Sequence, residues 1–186
     1  MNRIMKVAAV ALAASLILAG CSVLAAGPTK SGTAVAPAAG KTVTGNGYTF
    51  VAPKGWAEPE NSATPTGVDT FVANLTDTDG FADNLNVLLS PAGQVTPEQV
   101  ESQGVAELQD AGATEVLAGD RVTVAGSESA HLSAGVTSGD STYQIEQFYL
   151  SSGGQTYVVT FSFSSTVSKA DRDAVTSSVL ATWSWT

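Results

Sequence analysis

One cysteine and one histidine are all that the 186 residues offer of two side chains widely used to bind transition metals and to react near neutral pH. A single histidine, His131, excludes HExxH and multi-histidine metal sites. A single cysteine, Cys21, excludes an internal disulfide. No GxSxG elbow and no SxxK stretch occurs. Basic side chains are scarce as well, 8 Lys and Arg against 17 Asp and Glu, for a net charge of −9. Phosphate backbones and anionic headgroups are held by clustered Lys and Arg, so neither nucleic acid nor a charged membrane surface is an expected partner. The N-terminal apolar run from Val7 to Ala19 has 13 residues, fewer than the roughly 20 that cross a bilayer as a helix.

What is present begins with that run. Arg3 and Lys6 give it a basic start, and Ala19-Gly20 place small residues before Cys21, the shape of an export signal. Leu18-Ala19-Gly20-Cys21 resembles the lipobox of bacterial lipoproteins. That resemblance implies that residues 1–20 are removed and that the Cys21 thiol carries a diacylglycerol, leaving no free thiol in an exported chain. The alternative use of Cys21 is simple packing within an apolar helix. Two acyl chains hold stably where one does not, so Cys21 is the expected lipid attachment and membrane anchor. Removing residues 1–20 takes away Arg3, Lys6 and no acid, which leaves 6 basic against 17 acidic side chains, or −11. The body of such a protein is anchored by its lipid and not by its charge.

Residues 21–45 are Ala, Gly, Thr, Ser and Pro with few large side chains and no period, the composition of a flexible tether. Residues 46–186 read as the globular domain. Tyr48, Phe50 and Ala52 alternate up to the Pro53-Lys54-Gly55 turn and Trp56, and two further short strands are expected over 69–77 and 83–90. A helix starts at Thr96 as cap, with Pro97 at its first position and Gln99 completing a capping box, and it turns Val100, Gly104, Leu108 and Ala111 to one side before Gly112. Strands follow in ATEVLA, RVTVAG, SESAHLSAGVTS, TYQIEQFYL and QTYVVTFSF, the last with Tyr157, Val159, Phe161 and Phe163 at a spacing of two. A second helix is expected from Ser168, with Asp171 as box partner and Ala174, Val175, Val179 and Trp183 turned inward. Strands at hairpin spacing with grouped helices give the α+β class, an antiparallel sheet of about seven strands packed with a central and a C-terminal helix.

YTFVAPKGW, TPEQVESQGVAELQDAGATEVL, VAGSESAHLSAG, YQIEQFYLSSGGQTYVVTFS and a closing helix near Trp183 together resemble the LpqN/LpqT-type actinobacterial lipoproteins, over roughly residues 46–185. The resemblance implies a PsbP-like α/β/α sandwich. It also implies a role in envelope lipid or glycolipid handling, or accessory to membrane transport, in an extracytoplasmic protein.

Four aromatic residues, Trp56, Phe81, Tyr143 and Tyr149, are candidates to line a groove for an amphiphilic or glycan ligand. Asp77, Asp79 and Asp83 in TDTDGFADN suggest a calcium loop, but the EF-hand spacing fails: counted from Asp77, Phe81 stands at the fifth position and Leu88 at the twelfth. An Asp-Gly turn explains the stretch equally well. GPTKS, near residue 30, lacks the glycines of a phosphate loop. No metal and no cofactor are expected. The leading reading is a non-enzymatic, lipid-anchored binding or adaptor domain. The alternatives are a cell-wall ester hydrolase with His131 as base and a docking lipoprotein without a small ligand.

Overall fold

Large apolar side chains at every second position make Gln155–Ser164 the middle strand of the molecule, with a neighbour along each edge. The computed structural model describes residues 35–60 and 67–186, so the predicted leader, Cys21, GPTKS and the tether up to residue 34 lie outside the described residues. In chain order the first strands are β1 Thr42–Gly45, β2 Tyr48–Val51, β3 Trp56–Ala57, β4 Val68–Asn74 and β5 Asn84–Leu89. Helix α1 follows as three consecutive segments, Pro97–Gln99, a π turn Val100–Gly104, and Val105–Asp110. Then come β6 Thr114–Ala118, β7 Val122–Val124, β8 Ser127–Ser138, β9 Ser141–Ser152, β10 Gln155–Ser164, helix α2 Lys169–Leu180 and β11 Ser184–Trp185.

An eight-stranded antiparallel sheet has the order β3-β4-β5-β10-β9-β8-β6, with β7 paired to the start of β8. A second sheet of three strands has the order β1-β2-β11. The fold is therefore α+β, as the sequence predicts.

Alternation sorts each strand's residues between two faces. On β10, Tyr157, Val159, Phe161 and Phe163 share one face with Leu150 and Phe148 of β9 and with Leu89, Val87 and Leu85 of β5. The small sheet and α2 close over that face, adding Val43, Tyr48, Phe50, Val179 and Trp183 to one continuous core. Tyr48 and Trp183 stack there with centroids 4.5 Å apart. The opposite face of the sheet carries Ala130 and Leu132, which with Val100 of α1 form a second, much smaller buried cluster.

The start of α1 follows its sequence signature. Thr96 Oγ1 accepts from the Gln99 N–H at 3.3 Å and Gln99 Oε1 accepts from the Thr96 N–H at 2.8 Å, completing the box around Pro97. Gly104 lets the helix approach the sheet: a Cβ there would lie 3.1 Å from Leu132 Cδ1 and 3.7 Å from the Tyr149 hydroxyl. Ala111, predicted to share the inward side, is exposed.

Other expectations need correction. The domain starts earlier than residue 46, because Thr42–Gly45 pairs with β2 and buries Val43, and the Gly40 N–H reaches the Ala52 carbonyl. Those residues have weak strand signals of their own and are ordered by β2. The chain does not end in a helix: α2 stops at Leu180, and Ser184–Trp185 returns to β2. Trp183 is buried as predicted but lies past the helix end, while Ala174 is exposed and Thr176, Val179 and Leu180 supply the buried side of α2. The Ser168 hydroxyl donates to Asp171 Oδ2 at 2.6 Å and accepts from the Asp171 N–H, so this cap closes through the side chain and not as a reciprocal box.

Candidate functional site: the groove beneath α1

Because α1 touches the sheet mainly at its β8 side, the floor of β5, β10 and β9 beside it stays open. The result is a half-open groove of about 440 Å³ between helix and sheet. Leu88, Val95, Val100 and Val158 give it apolar walls, and Gln99, Gln103 and Gln147 are its amides. Glu107 is its one charged lining residue. The π turn of α1 contributes Val100, Gln103 and Gly104 directly to the lining, and single π turns in helices often mark functional sites.

The polar groups on the floor are ordered. Tyr149 Oη donates to Gln147 Oε1 at 3.0 Å, and Gln147 Nε2 donates to Thr160 Oγ1 at 3.1 Å. Burial, with the Glu107 charge adding to it, pushes the Tyr149 phenol up to about 12. The hydroxyl is thus a neutral donor at every physiological pH, and the chain fixes which way the Gln147 amide faces. A groove of this size with apolar walls and a few oriented polar groups suits a small amphiphile.

The four predicted aromatic residues do not form one site. Tyr149 lines the groove. Phe81 and Tyr143 stack on one another, centroids 5.0 Å apart and rings 21° from parallel, in a separate pair. Trp56 is buried on the other side of the sheet, tilted against Phe163 at 6.5 Å. Sequence reasoning missed Gln147 and Gln103. The signal for Gln147 lay in its place two residues before Tyr149 on a strand of period two.

His131 is tied into a buried charge cluster. It lies on the face opposite Ala130 and Leu132, as its position predicts, stacked on Phe148 at 4.4 Å. Its Nε2 is 2.7 Å from Glu146 Oε2, and Arg172 Nε of α2 donates to Glu146 Oε1 at 3.0 Å. Glu146 is only 1 % exposed. Burial disfavours its charge, but the His131 and Arg172 hydrogen bonds and charges more than offset this and hold the carboxyl below the usual glutamate range. Among the described residues no serine or threonine hydroxyl is hydrogen-bonded to His131.

The aspartates of TDTDGFADN fasten their own loop. Asp83 Oδ1 accepts from the Ser164 N–H at 2.8 Å, Asp79 Oδ2 from the Thr166 hydroxyl at 3.1 Å, and Asp77 Oδ1 from the Thr78 N–H at 2.9 Å. No group of His, Cys, Asp or Glu side chains among the described residues is arranged to hold a metal ion. No helix among them is long and apolar enough to cross a membrane.

No protein-family model matches the chain, and no curated protein sequence does so either. Solved structures do. Cyanobacterial PsbP from Synechocystis sp. PCC 6803 aligns with a TM-score of 0.50 at 19% identity, over 86% of this chain and all (100%) of that one. LpqN of Mycobacterium tuberculosis, a protein involved in cell envelope biogenesis, aligns with a TM-score of 0.50 at 15% identity, over 78% of this chain and 90% of that one. The fold is PsbP-like. A Bacteroides thetaiotaomicron protein also aligns, at 13% identity and a TM-score of 0.46 over 75% of this chain, which spans only 45% of its length. At these identities what is shared is the architecture, and function does not follow from it.

Proposed function

We propose that this is a lipid-anchored, extracytoplasmic envelope protein whose PsbP-like domain is a non-enzymatic binding module, taking an amphiphilic lipid or glycolipid in the groove beneath α1. The observation that carries the reading is the groove itself, about 440 Å³ with apolar walls and an oriented Gln147–Tyr149 floor. The lipobox-like Leu18-Ala19-Gly20-Cys21 supports anchoring through Cys21. The likeness in fold to LpqN supports an envelope setting.

The lining also favours a class of head group. Glu107 is the one charged residue around the groove, so an anionic head meets repulsion while hydroxyl and amide groups find Gln99, Gln103 and Gln147. The ligand is therefore a polar head without net negative charge on an apolar chain.

The test is native mass spectrometry of the chain exported by an envelope-bearing host with Cys21→Ser and purified without detergent. A stoichiometric amphiphile without net negative charge, absent when Gly104→Val fills the groove, is the expected result. A domain that comes through empty sinks the ligand reading. Anchoring is tested separately: wild type partitions with the membrane and Cys21→Ser does not.

A further inference from the structure

The eight-stranded sheet ends at β6, whose outer edge has no strand beside it among the described residues. A bare strand edge offers main-chain N–H and C=O groups to any extended chain that can lie along it. β6 is fitted for this in its second half. Glu115 has a positive φ of 52° and the register with β8 breaks between Thr114 and Leu117, so the bulge sits early in the strand and Leu117 and Ala118 resume regular pairing. Leu117 is 64 % exposed, the most exposed large hydrophobic side chain among the described residues.

The charge around this edge is one-sided. Between residues 98 and 128 stand seven acids, Glu98, Glu101, Glu107, Asp110, Glu115, Asp120 and Glu128, and one basic residue, Arg121. Arg121 is already taken, bridging to Glu98, Glu101 and Glu128 at 2.7, 2.6 and 2.8 Å. Asp110, at the end of the helix segment packed against β6, and Glu115 and Asp120, flanking the strand core, form no ion pair among the described residues. A second copy of the chain would bring the same three carboxylates to the same edge, and like charges across a strand pair destabilise it. The acids bar self-pairing and leave the edge open to the opposite sign.

We infer that β6 is a docking edge for an extended, basic segment of a protein partner. The partner adds a strand along Val116–Ala118, covers Leu117 with an apolar side chain, and sets Lys or Arg against Asp110, Glu115 and Asp120. This surface is separate from the groove and does not require its ligand.

The test uses a blocked hexapeptide alternating lysine and valine, with a glutamate–valine hexapeptide as control, titrated by NMR into the exported Cys21→Ser chain. The lysine peptide is expected to bind saturably, to weaken as salt rises, and to protect the Val116–Ala118 amides from exchange, while the glutamate peptide does nothing. Leu117→Lys, a change at an exposed site, removes the apolar contact and adds repulsion, for a loss of roughly tenfold or more in affinity. Gly104→Val leaves peptide binding unchanged, which separates this surface from the groove. Equal binding of both peptides, shifts confined to α1 or elsewhere, dimerisation through β6, or no binding at all would each overturn the proposal.

Discussion

The two faces of the eight-stranded sheet are made by the same strands, yet they are covered very differently. Toward α2 and the small sheet lies a continuous core that runs from Val43 to Trp183. Toward α1 lies a cluster of three fully buried residues, Val100, Ala130 and Leu132, and beside it the open groove. A strand's alternation therefore places one set of side chains in the closed core and the other on the open groove, one residue apart. Phe148 and Gln147 of β9 are the plainest case, the first in the core and the second on the groove floor.

This contrast can be broken or sharpened by substitution. The largest effect is expected at Phe161→Ala, fully buried on the closed face, which should cost about 4 kcal/mol of unfolding free energy in chemical denaturation. A cost near zero would mean that this face is not the stabilising one. Next is Arg172→Ala, which strips Glu146 of its cation from α2 while leaving the carboxyl buried, at about 3 kcal/mol. Its pH signature has a definite sign. The native Glu146 pKa lies below its unfolded value, so the contribution is complete above the ordinary glutamate range and is lost as pH falls through the depressed native value. Arg172→Ala should therefore move the acid-unfolding midpoint upward, and an unmoved midpoint would take the charge cluster out of the account.

On the open face the expected losses are smaller and the functional effects larger. Gly104→Val forces its side chain against Leu132 and toward the Tyr149 hydroxyl, at about 2 kcal/mol, and should abolish amphiphile binding. Tyr149→Phe removes one hydrogen bond to Gln147, costs about 1 kcal/mol or less, and should weaken binding without abolishing it. If Tyr149→Phe destabilised the fold as much as Phe161→Ala, the division between the faces would fail.

Local signals in the sequence carried far. Thr96, Pro97 and Gln99 announce α1, and the spacing of Tyr157, Val159, Phe161 and Phe163 announces the central strand, because each signal is complete within ten residues. The misreadings involve partners distant in the chain. Thr42–Gly45 and Ser184–Trp185 are strands only because Tyr48–Val51 lies between them in space. Glu146 looks like an ordinary solvent-facing residue until Arg172, 26 residues on, reaches it from α2. The candidate groove was half legible: Tyr149 lines it, but Trp56, Phe81 and Tyr143 lie elsewhere, since a single strand's pattern does not say which helix will cover which face.

The seating of β1 and β11 on either edge of β2 has a mechanical meaning. A pull on the chain ahead of Val35 first meets the Ala38 N–H on the Ser178 carbonyl of α2 and the Gly40 N–H on the Ala52 carbonyl, and then β1, where the antiparallel register meets Thr42 and Val51 first and Gly45 and Tyr48 last. Load applied that way unzips the pair one step at a time instead of shearing it as a block. The other edge of the small sheet is still held by Trp185 and by the Thr186 N–H on the Gly47 carbonyl. Slack is thus released first at the entry to the domain, on the face of the large sheet opposite α1.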